Sequence, residues 1–337
     1  MGRFKKIMIF ALTALIVGAA IWYLKFDKHH PQDINLDQAK ENYWGVTFSR
    51  KFCDEIGIDW KEAYLAVLND LQAKYIRIPI YWDEVEIKDD QFDFADYDFI
   101  FDEGKKRGVK FIANIGWRLP RWPECHSPEW IANLKVAEIK EKTVEMLKPV
   151  VSHFKNREEI IYWQVENEPL LNSFGICPDG DEKFLRKEVE LVRSLDDRPI
   201  LITASGELSS WRKEWDIGDM FGTTMYRVVW NSLVGYFRYP LPASFYKFKA
   251  GLLKLKPDNM IISELQAEPW VPRGTLADLS FSESNKSFDM EQFKANLQYA
   301  INADLNQCYL WGTEWWYLQR INGNSKYWDL AKSLFEK

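Results

Sequence analysis

Ile160-Ile-Tyr-Trp-Gln-Val165 runs straight into Glu166-Asn167-Glu168-Pro169. Six residues apolar on both faces end in two carboxylates around an asparagine. A strand apolar on both faces suits a parallel sheet that is covered by helices on each side. Its polar end marks where the chain leaves the core. Strand alternation places Glu166 and Glu168 on one side of the strand line, at different heights.

The same pattern repeats outward in both directions. Strands are expected over Asn42–Phe48, Tyr75–Ile80, Val109–Asn114, Ile160–Val165, Pro199–Thr203, Asp219–Met225, Met260–Ser263 and Gln307–Trp311. Amphipathic stretches separate most of them. Asp59 caps a helix with Glu62 three residues on, as in a capping box. A helix from about Asp96 ends on Lys105-Lys106-Arg107-Gly108, with basic residues in its last turn and glycine as the stop. Further helices are expected over Val136–Phe154, kinked at Pro149, and over Glu182–Leu195, Met290–Ala303 and Ser325–Glu336. Eight strands alternating with helices imply a parallel sheet with right-handed crossovers. Eight units predict closure into a single (β/α)₈ TIM barrel, an α/β fold. An open dinucleotide-binding sheet would need a glycine-rich turn after the first strand, and Gly45 alone does not provide it.

Ser263-Glu264-Leu265-Gln266 repeats the decisive feature, because a second apolar strand ends in a carboxylate. The ends of parallel barrel strands share one opening, the face on which barrel enzymes build their sites. Two carboxyls converging on one cleft are what glycoside hydrolysis needs. One protonates the leaving oxygen, and the other attacks the sugar or activates water. Glu268, four residues further on, is a rival to Glu264 but belongs to the loop. Trp82, Trp117, Trp122, Trp270, Trp311, Trp315 and Trp316 all fall at or just beyond strand ends. Some can floor a sugar site, because sugar C–H faces stack on such rings, and at least two are expected to be rim packing. Arg121, Glu124, His126 and Glu314 stand in loops at the same face and could reach hydroxyls.

From about Asn42 onward the chain resembles the clan A glycoside hydrolases, the superfamily of cellulases, β-mannanases and β-galactosidases. Asn167-Glu168-Pro169 is similar to that clan's acid/base motif after the fourth strand. Glu264 matches its nucleophile after the seventh, and Tyr75-Ile-Arg-Ile-Pro79 through Trp82 looks like its second unit. The resemblance implies Glu168 as general acid/base and Glu264 as nucleophile. It implies that Asn167 bonds the sugar 2-hydroxyl, that Arg77 steers and ionises the nucleophile, and that Tyr226 hydrogen-bonds it. Trp311 would floor the subsite beside the scissile bond, with Trp82, Trp117, Trp122 and His126 as further substrate contacts. The chain departs from the pattern at Thr224, where many members carry histidine. It departs again at Leu265-Gln266, where an aromatic and glycine often follow the nucleophile.

The composition bounds the alternatives. The chain has 337 residues, 47% hydrophobic, with a formal net charge of −6 and no basic block in its body, so nucleic acid is not an expected partner. No cysteine spacing fits zinc, and no cofactor is expected. Among four histidines, none lies beside a nucleophile-elbow sequence. Arg3, Lys5 and Lys6 precede an uncharged apolar run, Ile7–Leu24, closed by Lys25. That run is long enough to cross a bilayer, with its basic flank in the cytoplasm. Residues 1–25 therefore read as a signal anchor, or as a cleaved signal peptide at Gly18-Ala19-Ala20. Residues 26–40 read as a linker and 41–337 as the barrel domain. Either reading exports the domain, held at the membrane or secreted, where a disulfide is permitted. Cys125 and Cys177 are the expected pair, and Cys308 is expected as a buried thiol. The reading reached is a retaining β-glycosidase acting on an oligo- or polysaccharide. A transglycosylase and a non-catalytic carbohydrate-binding barrel are the alternatives.

Overall fold

The computed structural model describes residues 43–336, so the proposed anchor and linker lie outside the described residues. Eight parallel strands close into a barrel: β1 (Trp44–Thr47), β2 (Tyr75–Pro79), β3 (Lys110–Ile115), β4 (Ile160–Val165), β5 (Ile200–Ala204), β6 (Met220–Met225), β7 (Met260–Gln266) and β8 (Gln307–Trp311). Closure is the β1–β8 pairing, with Trp44 opposite Cys308 and Val46 opposite Leu310. The barrel outer layer holds α1 (Trp60–Ala66), α2 (Ala95–Lys105), α3 (Val136–Phe154), α4 (Glu182–Leu195), α5 (Ser244–Leu252), α6 (Met290–Ala303), α7 (Thr313–Ile321) and α8 (Lys326–Phe335). Among the described residues, no helix is long and apolar enough to cross a membrane.

The local signals act where they are written. Asp59 accepts the Glu62 N–H at the start of α1, and Asp181 and Asp289 cap α4 and α6 in the same way. Helix α3 runs on through Pro149. Unit five departs from the repeat. No helix fills residues 205–219; instead buried Trp211 sits there, its indole N–H donating to the Ser205 carbonyl at 2.9 Å. Two short hairpins interrupt the units, Glu86–Lys88 with Gln91–Phe92 and Val228–Asn231 with Gly235–Arg238.

The core divides into two. The larger part lies between the strands and the helices. The smaller part, Ile112, Leu201, Ile261 and Tyr309, packs together inside the barrel. Beside that apolar plug, the interior is filled by the fully buried Arg77 and its polar partners. A guanidinium inside a barrel must be paired, and its partners are the residues on which the opening is built.

Candidate active site

Arg77 on β2 organises the opening. Its Nε donates to Gln164 Oε1 at 2.6 Å, its Nη2 to Asn167 Oδ1 at 2.7 Å, and its Nη1 to Glu264 Oε1 at 2.9 Å. One side chain thus ties the ends of β2, β4 and β7 together. Glu264 takes a second bond from the Tyr226 hydroxyl, 2.9 Å to Oε2. Both of its oxygens are therefore engaged by donors, which favours the carboxylate form.

Glu264 is not at the end of its strand, as the sequence reading placed it. β7 continues to Gln266, and its register shifts between Ile262 and Glu264 against β6 and between Ile262 and Leu265 against β8. Such a bulge re-aims a side chain, here Glu264 toward the cleft. Gln266, where the clan pattern differs, has its own task. Its Oε1 accepts the N–H groups of Arg227 and Val228 at 2.9 Å each, and its amide donates to the Val228 carbonyl at 2.7 Å. It anchors the base of the 228–238 hairpin.

Glu168 sits across the cleft in a different environment. Its Oε1 accepts from Thr224 Oγ1 at 3.1 Å, and no cation is bonded to it. Burial pushes its carboxyl well above the usual range. Glu264 and Glu124 push the same way, against Arg118 and the Thr224 bond. Thr224, at the position where the related pattern has histidine, is thus the residue that touches Glu168.

Glu166 and Glu168 do not share a face. Both carry left-handed backbone, with φ of 60° and 46°, so strand alternation no longer applies. Non-glycine residues held there cost about 1–3 kcal/mol each and cluster at functional sites. Glu166 turns inward and accepts the N–H groups of Trp117 at 2.7 Å and Arg118 at 2.5 Å. Gly116 makes room for it, since a Cβ there would stand 2.4 Å from Glu166 Oε1. Glu166 therefore fastens the β3 loop to the end of β4, and Glu188 on α4 crowds it from behind, each burying the other's carboxyl.

The cleft measures about 810 Å³ and is lined by Glu168, Glu264, Tyr226, Thr224, Trp311, Trp122 and Trp270 among others. An aromatic arc follows one wall. Trp122, Phe174, Trp270 and Tyr226 succeed one another with ring centroids 6.0, 5.8 and 5.7 Å apart. Trp122 is 57% exposed, so its ring is free to be covered. Trp311 forms the floor, with the Arg121 guanidinium stacked 4.2 Å from its centroid and 3.5 Å from that of Phe52. Arg121 is claimed by Glu268 and by Glu314, whose Oε2 lies 2.8 Å from it. Glu314 also accepts the Ser49 N–H at 2.5 Å. Glu268, the rival to Glu264, is thus half of a buried clamp between the loops after β3, β7 and β8.

Three residues expected on the cleft are elsewhere. Trp82 is fully buried, its indole donating to Glu86 at 2.6 Å. Trp117 packs in the core and donates to Ser127 at 2.7 Å. His126 lies against Tyr81, ring centroids 4.4 Å apart, with Nε2 3.2 Å from the Pro120 and Arg121 carbonyls. Burial draws its pKa down to about 4, so it is neutral across the ordinary range. Trp315 and Trp316 are also packing residues. Position at a strand end does not tell which way a ring points. Arg77 and Asn167 are buried beneath the wall, and Asn167 Oδ1 is occupied by Arg77.

Glu124 and Glu207 are carboxyls on the wall whose weight the sequence did not convey. Burial pushes Glu124 up to about 8, helped by Glu264 and opposed by Arg118. Burial pushes Glu207 to about 7, against hydrogen bonds from Tyr246, at 2.6 Å, and from the Tyr226 N–H. The expected disulfide is present, with Cys125 and Cys177 joining the loop that carries Glu124 to the loop after Glu168. Cys53 and Cys308 are buried thiols. Among the described residues, no group of His, Cys, Asp and Glu is arranged to hold a metal ion.

Fold and cleft together define a parallel eight-stranded barrel with acidic side chains and aromatic rings at its C-terminal mouth. Solved structures of this shape include xylanase 10B from Thermotoga petrophila RKU-1, determined with xylobiose. It is 16% identical, covers 84% of this chain and 86% of its own, and has a TM-score of 0.54. A GH113 β-1,4-mannanase is 13% identical over 88% of this chain and 99% of its own, with a TM-score of 0.56. A GH5_18 protein from Streptomyces cattleya, determined with GlcNAc, is 13% identical over 81% and 70%, with a TM-score of 0.55. At this identity the likeness is one of fold. No family model and no curated protein matches the sequence.

Proposed function

We propose that the chain is a retaining glycoside hydrolase acting on β-linked glycans, with Glu168 as general acid/base and Glu264 as nucleophile. The observation that carries this reading is the contrast between the two carboxyls across one cleft. Glu264 is paired with Arg77 and bonded by Tyr226, which favours a carboxylate able to attack the anomeric carbon. Glu168 is buried, bonded to no cation and pushed upward, which keeps a proton available for the leaving oxygen. Environments that drive two carboxyls apart in this way assign the acid and the nucleophile. Attack by Glu264 would form a glycosyl ester as Glu168 protonates the departing alcohol. Glu168, now a carboxylate, would then draw a proton from the water that releases the sugar. Trp311 and the aromatic arc would hold sugar rings by their C–H faces. The solved xylanase and mannanase of the same fold support this class of reaction. The apolar run at residues 7–24 and the 125–177 disulfide support an extracytoplasmic site of action.

The test is covalent trapping. The full chain is incubated with a panel of activated 2-deoxy-2-fluoro β-glycosides and digested, and the labelled peptide is sequenced by mass spectrometry. Label on Glu264, absent from Glu264→Ala, is expected. Turnover of β-glycosides with the label on another residue would overturn the assignment. Tight glycan binding with neither label nor turnover would make the protein a carbohydrate-binding barrel instead.

A further inference from the structure

The cleft wall is acidic beyond what two-carboxyl chemistry uses. Glu55, Glu124, Glu168, Glu207, Glu264 and Glu268 all line it. Two arginines face them. Arg121 is already taken by Glu268 and Glu314, and Arg273 stands exposed at the rim.

Glu124 is the member with no settled partner. It is 5% exposed, yet it lines the cleft, and its Oε2 takes no hydrogen bond. The nearest cation is Arg118, whose Nε lies 3.7 Å away, outside bonding distance. The Arg118 guanidinium is spent on the Leu171 and Phe174 carbonyls. Glu124 is also held firmly in place. Its neighbour Cys125 is bonded to Cys177, and the Glu124 N–H donates to the Arg121 carbonyl at 2.8 Å. A carboxyl fixed in a half-desolvated wall beside Glu168 and Glu264 gains most from a ligand that brings positive charge. A neutral sugar would close water away from it without supplying that charge. A uronic acid would add a further carboxylate to a wall of six. The aromatic arc favours the same ligand, since cations are attracted to the faces of such rings.

We propose that Glu124 is a specificity-determining residue that selects glycans carrying a free, protonated amino group over their neutral, N-acetylated or acidic counterparts. This deepens the glycosidase reading by naming the substrate class, and it rests on that reading only for turnover. Binding is governed by the wall itself.

The experiment is therefore built on binding. Oligosaccharides are compared in pairs that share configuration, linkage and length: glucosamine with glucose, galactosamine with galactose, and mannosamine with mannose. Titration calorimetry with the full chain at pH 6 and low salt gives a Kd for each. In at least one pair the amino form is expected to bind about tenfold or more tighter. Glu124→Gln should bring that ratio to within about threefold. The advantage should also shrink in wild-type protein as salt rises from about 0.02 to 0.5 M, since screening lengths contract over that range. The salt series tests the proposal even if Glu124→Gln does not fold. Equal or weaker binding of the amino form in every pair overturns the proposal. A tenfold advantage that survives Glu124→Gln shows that another residue selects the amine and also overturns it. Amine preference without turnover of any glycoside would leave the proposal standing and sink the glycosidase reading. Turnover confined to neutral sugars would do the reverse.

Discussion

The barrel mouth and the outer surface use the same residue types to opposite ends. On the outside, carboxylates meet cations. Asp70 is held by Lys332, Arg320 and the Trp328 indole, Glu103 by Lys106 and Arg107, and Asp181 by Lys140. Each is held below its ordinary pKa. At the mouth, Glu124, Glu168, Glu207 and Glu268 are buried and pushed above it, each with burial as the first cause. The outer arrangement lets charge be solvated and paired. The mouth keeps protons where water would remove them. Groups perturbed in this direction, gathered in one cleft, mark the place where chemistry is done. Glu264, ion-paired in the middle of them, is the exception that gives the cleft its second role.

The largest expected effect comes from removing that exception. Glu264→Ala should lower kcat/KM on any glycoside the protein cleaves by at least about 10⁴-fold, the scale seen when a nucleophile is deleted. Steady-state rates of the purified variant check it, and a loss under about tenfold would return Glu264 to the structural ion pairs. Glu168→Gln comes next, at about 10²–10⁴-fold, the usual contribution of a positioned acid. Its diagnostic feature is the pH profile. The alkaline limb of the wild-type profile belongs to Glu168 losing its proton, so that limb should vanish in the variant. A profile that keeps its shape would mean that another group supplies the proton.

A smaller effect sharpens the contrast from within the mouth. Thr224 donates to Glu168 and so favours its charged form. Thr224→Val should raise the Glu168 pKa further and move the alkaline limb upward, with a rate loss of up to about tenfold. A limb that moves down would show that Thr224 acts through some other contact.

The smallest effects compare the two regions directly, through stability. Glu124 titrates near 8 in the folded protein and near 4.3 unfolded. The folded state holds this proton more tightly, so its contribution to stability is fullest below about pH 4 and is lost as pH rises toward 8. Glu124→Gln should therefore gain in melting temperature relative to wild type between pH 5 and 8. Asp70, lowered and largely exposed, runs the other way. Its contribution is present above pH 4 and is lost as pH falls through its folded value. Asp70→Asn should cost no more than about 1 kcal/mol near neutrality and nothing at pH 3. Thermal melts of both variants across pH 3–8 give the two slopes, and slopes of the same sign would erase the distinction between the regions.

Much of this was legible in the chain. Strand periodicity, glycine stops and the Asp caps gave eight units in order, because those signals are local and each acts within a few residues of where it stands. Two apolar strands ending in Glu168 and Glu264 pointed to one opening, because the ends of parallel barrel strands share a face. Arg77 was legible for a related reason, since a cation in an apolar strand needs an anion. The hairpin at 228–238 and α5 were not legible, because their strands are four residues long and the stretch between Tyr226 and Met260 carries no strong period. Unit five lost its helix to the packing of one tryptophan, which no periodicity announces.

The amino-acid order by itself determined the barrel and which strand ends carry carboxyls, through patterns of burial that repeat along the chain. Tertiary structure alone decided what those carboxyls are. Left-handed backbone sent Glu166 inward and Glu168 to the cleft, and a bulge in β7 aimed Glu264. Burial among distant residues pushed Glu124 up to about 8, and ring orientation set Trp122 and Trp311 on the cleft while Trp82 and Trp117 went to the core. Solvation and charge at a buried atom depend on every residue brought near it, and the residues near this cleft come from loops spread across the whole barrel.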